Sequence, residues 1–328
     1  MSEPSYTDSL PRGSVEDDRI PCGEEGCTRF ALRFATKCAL HLENKDAWRA
    51  AVVAHKQELE GAYLEESDLR ELDLSGARLK KADLWGARLE RANLDGAELI
   101  TADGTNLRLE GASLKNANLE GMNLTRAQLR EADLSGACLD GAECLEMEAP
   151  GARFVGAHCE ETNLRRAVLE GTDLSGAKII DSDMWETRLT GANFTEAELR
   201  ESQLACSTGA NINFRNANLR DTKLPRVEWD SPDLSGASLI GADLEGAILK
   251  NIKADAQTVL IEKGSALKIF GGGGGKLKGD DPLMSAAKAA ALAPVYEAFA
   301  SAFDKAARAK EAKHLRSRAE ACRKKSAD

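Results

Sequence analysis

Leucine recurs at every fifth position along the central part of this 328-residue chain. The series begins at Leu64 and keeps one register to Leu249, with a few substitutes, which makes 38 units of five residues. A small residue, most often alanine, stands two positions before each centre, and Asp, Asn, Ser and Gly are frequent elsewhere in the unit. Every unit therefore combines two apolar positions, two residues apart, with three polar ones.

A period of five matches neither regular secondary structure. In a helix a step of five residues rotates by roughly 500°, which spreads the leucines around the axis. In a continuous strand an odd step places successive leucines on opposite faces. The chain must therefore turn once per unit, so that the small residue and the leucine both point inward. Such repetition predicts a solenoid whose stacked coils share one core.

Tandem units such as Ala82-Asp83-Leu84 resemble the signature of pentapeptide-repeat proteins. The resemblance covers 62–254 and implies a mainly β fold, a right-handed four-sided β-helix with one unit on each side of a coil. The units would then form about nine and a half coils, roughly 45 Å long at about 4.8 Å per coil. Some members of this family are acidic DNA mimics that bind DNA gyrase, a type II topoisomerase, and dimerise through C-terminal helices.

Four units per coil would stack every fourth centre in one column. One such column contains Phe154, Phe194 and Phe214, which suggests a local aromatic stack inside the rod. Two other columns contain departures from the leucine pattern, and we interpret them as bulged or loosened sides because no residue is inserted or lost. These departures are Gly104, Cys144, Ala149, Gly209 and Trp229.

Residues 21–61 begin with a cysteine-rich segment that predicts a metal site. The motif supplies the four ligands that tetrahedral zinc requires, and it resembles a short treble-clef finger of the Cys3His type. We expect one structural zinc ion rather than a catalytic one. The alternative is two buried thiols beside an incidental Cys–His pair. The four candidate ligands are Cys22, Cys27, Cys38 and His41.

The remaining segments flank the repeats. Residues 1–20 are polar and are expected to be disordered, and a helix from near Lys37 to about Leu59 would cover the N-terminal end of the rod or bind a partner. We predict that 255–280 form an end cap and a Gly-rich linker. We interpret 281–328 as an Ala-rich basic helical tail.

The tail has two features that suggest contacts. Tyr296, Phe299 and Phe303 form an apolar patch that would dock on the rod or mediate self-association. The basic residues beyond the patch suit an acidic surface, including nucleic acid. A solvated helix docked by its aromatic patch is the plainer interpretation.

Charge and hydropathy narrow the class of protein. Residues 62–254 carry 34 acidic and 22 basic side chains, which disfavours nucleic-acid binding by the rod. Arg88 and Arg108 share a side with Glu90 and Glu110, so the continuous negative stripe of a DNA mimic is not indicated.

No apolar run approaches the roughly 18 residues that a membrane span needs, so no membrane span is predicted. The polar start and the scattered cysteines are typical of a cytoplasmic protein.

No catalytic constellation is evident in the sequence. His158 should point outward and Cys159 inward, so they are poor partners for nucleophilic catalysis. We therefore predict a non-enzymatic protein-interaction scaffold; the alternative is the topoisomerase-binding DNA mimic.

Three apolar residues each follow a column centre on one side of the rod, and they are the candidate partner contact. They are Trp85, Leu145 and Trp185.

Overall fold

A computed structural model describes seven stretches of the chain. They are residues 20–21, 30–31, 44–255, 257–262, 296–297, 300–301 and 309–327. Strand β1 (Ile20–Pro21) pairs in antiparallel fashion with β2 (Phe30–Ala31). Ile20 is thus in a strand, although it is the last residue of the segment expected to be disordered.

The repeat region is a solenoid in which every coil contains four pentapeptides. Isolated parallel bridges join positions 20 apart along its length, from Tyr63–Asp83 to Asp233–Lys253. The hydrogen bonds follow the same register, since the N–H of Leu64 donates to the carbonyl oxygen of Asp83 at 2.7 Å. The four-unit coil predicted from the leucine columns is therefore confirmed.

A tight turn ends each side of the coil. The N–H of Ala77 donates to the carbonyl oxygen of Leu74 at 3.0 Å, and equivalent bonds recur in most units. The third residue of the turn has a positive φ from Gly61 (65°) to Asn251 (48°), as a type II turn requires. This conformation explains why glycine is frequent two residues after the centre.

The residue before the centre also has a structural reason for its identity. Asp133 Oδ1 accepts the backbone N–H of Ser135 at 3.1 Å, and the same two-residue bond recurs along the rod. Side chains of neighbouring coils also bond to each other, as when Asn93 Nδ2 donates to Asp73 Oδ1 at 3.1 Å. Asp and Asn therefore precede the centre because they satisfy turn N–H groups.

An aromatic cluster fills the interior near the C-terminal end of the rod. The rings of Phe194 and Phe214 stack with centroids 5.0 Å apart and planes at 16°, which confirms the predicted stack for these two residues. Leu174 separates Phe154 from them in the column. Trp229 joins the cluster from the next side, with its ring centroid 5.0 Å from that of Phe214.

The interpretation of loosened sides is wrong for Gly209 and Trp229. They pair directly in a three-stranded parallel sheet, which is more regular than the rest of the rod. Trp229 is 1% exposed and its Nε1 donates to Ser207 Oγ at 3.1 Å. The strands of this sheet, in spatial order, are β3 (Thr208–Ala210), β4 (Glu228–Asp230) and β6 (Ile248–Lys250).

Stacking continues after the five-residue register has failed. Strand β5 (Ser238–Ala242) pairs in parallel with β7 (Val259–Glu262), and the register shifts by one residue between Ile240 and Ala242. Thr258 Oγ1 donates to the carbonyl oxygen of Leu234 at 2.9 Å, which fixes the preceding turn to the coil below.

Helix α1 (Lys45–Ala54) is shorter than predicted, and a 3-10 turn (Lys56–Glu58) follows it. It begins at Lys45, and not near Lys37, because Asn44 is an N-cap whose Oδ1 accepts the N–H of Ala47 at 2.9 Å. Trp48 and Val52 of the helix are buried in the core.

Helix α1 is fixed to the first coil through Arg49. Its guanidinium donates to the carbonyl oxygen of Asp68 at 2.9 Å, to the Asp68 carboxylate at 3.1 Å and to the carbonyl oxygen of Arg70. These bonds satisfy carbonyl groups of the first coil that have no coil below them.

Helix α2 (Ala309–Ala327) lies in the predicted tail. Its residues Ala312, Leu315 and Ala319 are buried on one face. Arg318 lies 5.3 Å from the ring centroid of Tyr296 and donates to its hydroxyl at 3.1 Å. Phe299 and Phe303 lie outside the described residues. None of the helices in the described part is long and apolar enough to span a bilayer.

Candidate partner-binding surface

Trp85, Leu145 and Trp185 project from one side of the rod. Each directly follows an inward centre, and their spacings are multiples of the 20-residue coil. Trp85 is 41% exposed, whereas Leu145 and Trp185 are half-buried. The two tryptophans occupy equivalent positions and yet differ in exposure, because their neighbours on the preceding coil differ.

Arginines cover Trp185. The guanidinium carbon of Arg165 lies 4.9 Å from the ring centroid of Trp185, and that of Arg166 lies 5.3 Å from it. Both arginines come from the coil below, and Arg166 is held by Glu186 at 3.0 Å. Such cation–π contacts stabilise the exposed face of an indole. The cover of Trp185 is therefore supplied by the rod itself.

Trp85 has carboxylates in its surroundings. Glu65 and Glu66 occupy the positions, one coil below, at which Trp185 has Arg165 and Arg166. The Trp85 N–H donates to Asp83 Oδ1 at 3.1 Å. In the described part of the chain no guanidinium lies over Trp85.

The pKa of Asp83 is raised from 3.8 to about 7. Burial of the carboxyl group is the main cause, followed by its hydrogen bond with Glu65 and by the negative charges of Glu65 and Asp103. The N–H of Trp85 opposes this shift by stabilising the carboxylate. The Asp83 carboxyl group therefore keeps its proton to a higher pH than an ordinary aspartate does.

We expect Asp83→Asn to stabilise the folded protein near pH 8 by about 1–2 kcal/mol, after allowance for solvent screening. The folded state binds this proton more tightly than the unfolded state. Wild-type stability is therefore lost as the pH rises from about 4 to about 7. Urea denaturation near pH 4 and near pH 8 measures the effect, and the variant should gain little at the lower pH.

Asp133→Asn is the matched control, because Asp133 occupies the same position in its unit. Burial opposes ionisation there too, but hydrogen bonds from Ser135 and the charge of Lys115 outweigh it and lower the pKa. This variant should gain no stability near pH 8. An equal gain in both variants would contradict the special role of the Asp83 environment.

The 20-residue register also reveals a pair that the sequence reasoning missed. Cys138 and His158 are bridge partners on adjacent coils and both lie on the outside, whereas the sequence argument considered only His158 with Cys159. Cys138 Sγ lies 3.3 Å from Asp140 Oδ2. Comparison of positions 20 apart would have found this pair.

The Cys138 environment does not suit nucleophilic chemistry. Burial and the neighbouring Asp140 raise the pKa of its thiol, although the Asp140 backbone opposes the shift. Within the described ranges, no group of three or more His, Cys, Asp or Glu side chains is arranged to hold a metal ion. The candidate zinc ligands Cys22, Cys27, Cys38 and His41 lie outside those ranges.

Ion pairs neutralise much of the charge on the side of the rod next to that of Trp85. Arg108 lies 3.1 Å from Glu90 and 3.5 Å from Glu110, and Arg88 lies 3.5 Å from Glu90. The charges are thus interleaved in space as well as in sequence. Exposed pairs of this kind contribute only about 0–1 kcal/mol each to stability, so their main effect is on the surface potential.

Comparison with known proteins identifies the repeats. The family model described as pentapeptide repeats matches eight copies in this chain. Together these copies span six ranges, some of which overlap: residues 58–96, 86–121, 108–143, 151–179, 173–205 and 212–251. A comparison with curated proteins gives no match.

Solved structures of repeat proteins are also similar to this chain. HetL, a pentapeptide repeat protein involved in heterocyst differentiation regulation in the cyanobacterium Nostoc, is 27% identical over 66% of this chain and 98% of its own, with a TM-score of 0.29. QnrB1, a plasmid-mediated fluoroquinolone resistance protein, is 21% identical over 59% of this chain and 89% of its own, with a TM-score of 0.28. A pentapeptide repeat protein of the Arabidopsis thaliana thylakoid lumen is 22% identical over 36% of this chain and 69% of its own, with a TM-score of 0.19.

Proposed function

Since this chain belongs to the pentapeptide-repeat family, we propose that it is a non-enzymatic scaffold that binds other proteins through the outside of its rod. The observation that carries the proposal is the exposed indole of Trp85. Large aromatic side chains at a surface dominate the energetics of many protein interfaces. On this rod the outward positions are mostly short or charged, so an indole at 41% exposure is unusual.

The architecture supports a binding role. Inward positions are filled by leucine, alanine and the aromatic cluster, while three positions in each unit face solvent. Those outward positions can vary without disturbing the core, because the backbone bonds between coils hold the rod together. A rigid solenoid with a variable exterior offers an extended surface to a partner.

A DNA mimic that binds DNA gyrase is the alternative, and the charge distribution favours it less. Such a mimic requires a continuous negative surface. Arg88, Arg108 and Arg188 interrupt the acidic residues of one side, and Arg188 lies 2.5 Å from Glu170. A supercoiling assay with DNA gyrase decides between the two, since the scaffold proposal expects no inhibition.

Photo-crosslinking from each side of the rod tests the scaffold proposal. A photoreactive residue would replace, one at a time, four outward residues of one coil in the full-length protein expressed in its native host. These positions are Thr105, Glu110, Lys115 and Glu120, one on each side. We expect a covalent adduct with a defined protein from one side in preference to the others. Adducts from none of the four positions would contradict the proposal.

We also propose that Cys22, Cys27, Cys38 and His41 bind one structural zinc ion, as their spacing predicts. Reduced, purified protein should contain about one zinc per chain. Replacing Cys27 and Cys38 together by alanine should remove the metal but leave the β circular dichroism of the rod unchanged. Metal-free wild-type protein, purified without chelator, would refute this site.

A further inference from the structure

Helix α2 uses its arginines and its lysines differently. One face of the helix is apolar and buried, and it consists of Ala312, Leu315 and Ala319. Two arginines make contacts within the tail, because Arg318 donates to the hydroxyl of Tyr296 at 3.1 Å and Arg323 lies 2.5 Å from Glu297. The lysines are on the opposite side of the helix.

Four lysines form what we name the lysine face of α2, at positions 310, 313, 324 and 325. At about 100° per residue these positions fall within an arc of about 120° opposite the buried face, and they span about 22 Å along the axis. The two glutamates of the helix, Glu311 and Glu320, fall outside this arc. Lys313 and Lys324 are exposed, and the exposed pair of Lys324 with Glu320 at 2.9 Å is of a kind that contributes little to stability.

Helix stability does not account for the lysine face. Lys310 and Lys313 lie in the first two turns of α2, where the helix dipole disfavours positive charge. They are also three residues apart on one side of the helix, so they repel each other. In the part of the chain that the structure describes, no carboxylate forms an ion pair with Lys313. An anion supplied by a partner would relieve this repulsion.

We propose that the lysine face binds the phosphate backbone of a nucleic-acid duplex. A duplex carries one negative charge per about 1.7 Å of its axis, so a face about 22 Å long can reach several phosphates. Lysine binds phosphate as a point charge, which suits backbone contacts that carry no sequence information. The inference goes beyond the scaffold function, because it gives the chain a second kind of partner at a separate place.

Two other anionic partners fit the lysine face less well. A helix that lies on a membrane inserts its apolar face, but the apolar face of α2 is already buried, and the lysine face includes no large apolar residue. The rod of a second copy is acidic, but arginines interrupt its negative charge, as Arg108 does between Glu90 and Glu110. A duplex offers an uninterrupted row of anions.

Fluorescence anisotropy of the full-length protein with labelled duplexes tests the inference. The probes are a DNA duplex and an RNA duplex, each of about 20 base pairs, and binding to one alone would identify the source and support the inference. We expect the affinity to fall roughly 40-fold to 150-fold between about 50 mM and about 200 mM salt, as three to four phosphate contacts imply. Absence of binding to both duplexes at about 10⁻⁴ M protein, or binding that salt does not weaken, would overturn the inference.

A fourfold lysine variant locates the contact. It replaces the lysine face by glutamine, which has a similar helix propensity, so circular dichroism should show the helix retained. We expect it to lower the affinity for the duplex more than about tenfold at low salt. The control makes the same change in net charge with four exposed lysines of the rod, and it should lower the affinity less than about threefold. Equal losses would show that net charge, and not the lysine face, causes binding. The control lysines are Lys81, Lys223, Lys250 and Lys253.

The same variants test the two competing partners. Co-sedimentation with vesicles of phosphatidylserine and phosphatidylcholine measures membrane binding, and sedimentation velocity measures self-association. Binding to vesicles that depends on the lysine face, without binding to duplexes, would assign the face to a membrane surface. A dimer that is lost in the fourfold variant and that the duplex does not dissociate would assign it to a second copy. Either result would contradict the inference.

Discussion

Replacing Trp229 by alanine is expected to lower the free energy of unfolding by about 3–5 kcal/mol. The side chain is 1% exposed and contacts the ring of Phe214, so its removal leaves a large cavity in the core. It also leaves Ser207 Oγ without its hydrogen bond from the indole. Chemical denaturation followed by circular dichroism measures the change.

Trp229→Phe separates the two contributions. Phenylalanine keeps an aromatic ring against Phe214 but removes the donor to Ser207, so we expect a smaller loss of about 1–2 kcal/mol. An alanine variant as stable as the phenylalanine variant would mean that the aromatic cluster does not support the C-terminal coils.

Leu134→Ala is expected to cost about 2–5 kcal/mol, because Leu134 is a fully buried centre in a regular column. Its neighbours one coil away, Leu114 and Phe154, are equally inward, and the backbone bonds between coils limit collapse around the cavity. Thermal and urea unfolding of the full-length protein measure the loss.

Leu145→Ala is the matched control, since it makes the same substitution at an outward position of the same rod. Leu145 is half-buried, so its loss should cost less than about 1 kcal/mol. Similar losses for Leu134→Ala and Leu145→Ala would show that the alternation of inward and outward positions is wrong.

The coil could be predicted from the sequence because its cause repeats in every unit. Leucine at the centre, a small residue two before it and Asp or Asn between them each have one role in the turn, as Leu84, Ala82 and Asp83 illustrate. The period of 20 then follows from four such turns. Where another residue replaces leucine at a centre, the five-residue spacing is kept, so the repeat could still be recognised.

Features that depend on contacts between coils could not be derived from one unit. Trp229 looked like a defect within its pentapeptide, but Gly209 one coil below pairs with it in a regular sheet. The start of α1 was misplaced because the cap at Asn44 was not considered. The raised pKa of Asp83 has burial as its main cause and Glu65, which belongs to the coil below, as its second.

The identity of a partner cannot be predicted from the repeat pattern, and the reason is physical. The fold constrains inward side chains and turn residues, whereas outward ones contribute little to stability and carry no periodic signal. Trp85 and Trp185 were found as outward aromatics from spacing alone. Only their neighbours on the adjacent coil, Glu65 and Arg165, distinguish an uncovered indole from a covered one.

The 20-residue coil is the claim on which all these neighbour relations depend, and distances between spin labels test it most directly. Labels carried by non-natural amino acids at Thr105 and Ala205 lie on one side, five coils apart, and should be separated by about 24 Å between backbones. Moving the second label to Pro225 should add about 4.8 Å. A first separation near 32 Å, as a three-sided coil of about 15 residues would give at the same rise, or a second distance shorter than the first, would contradict the account.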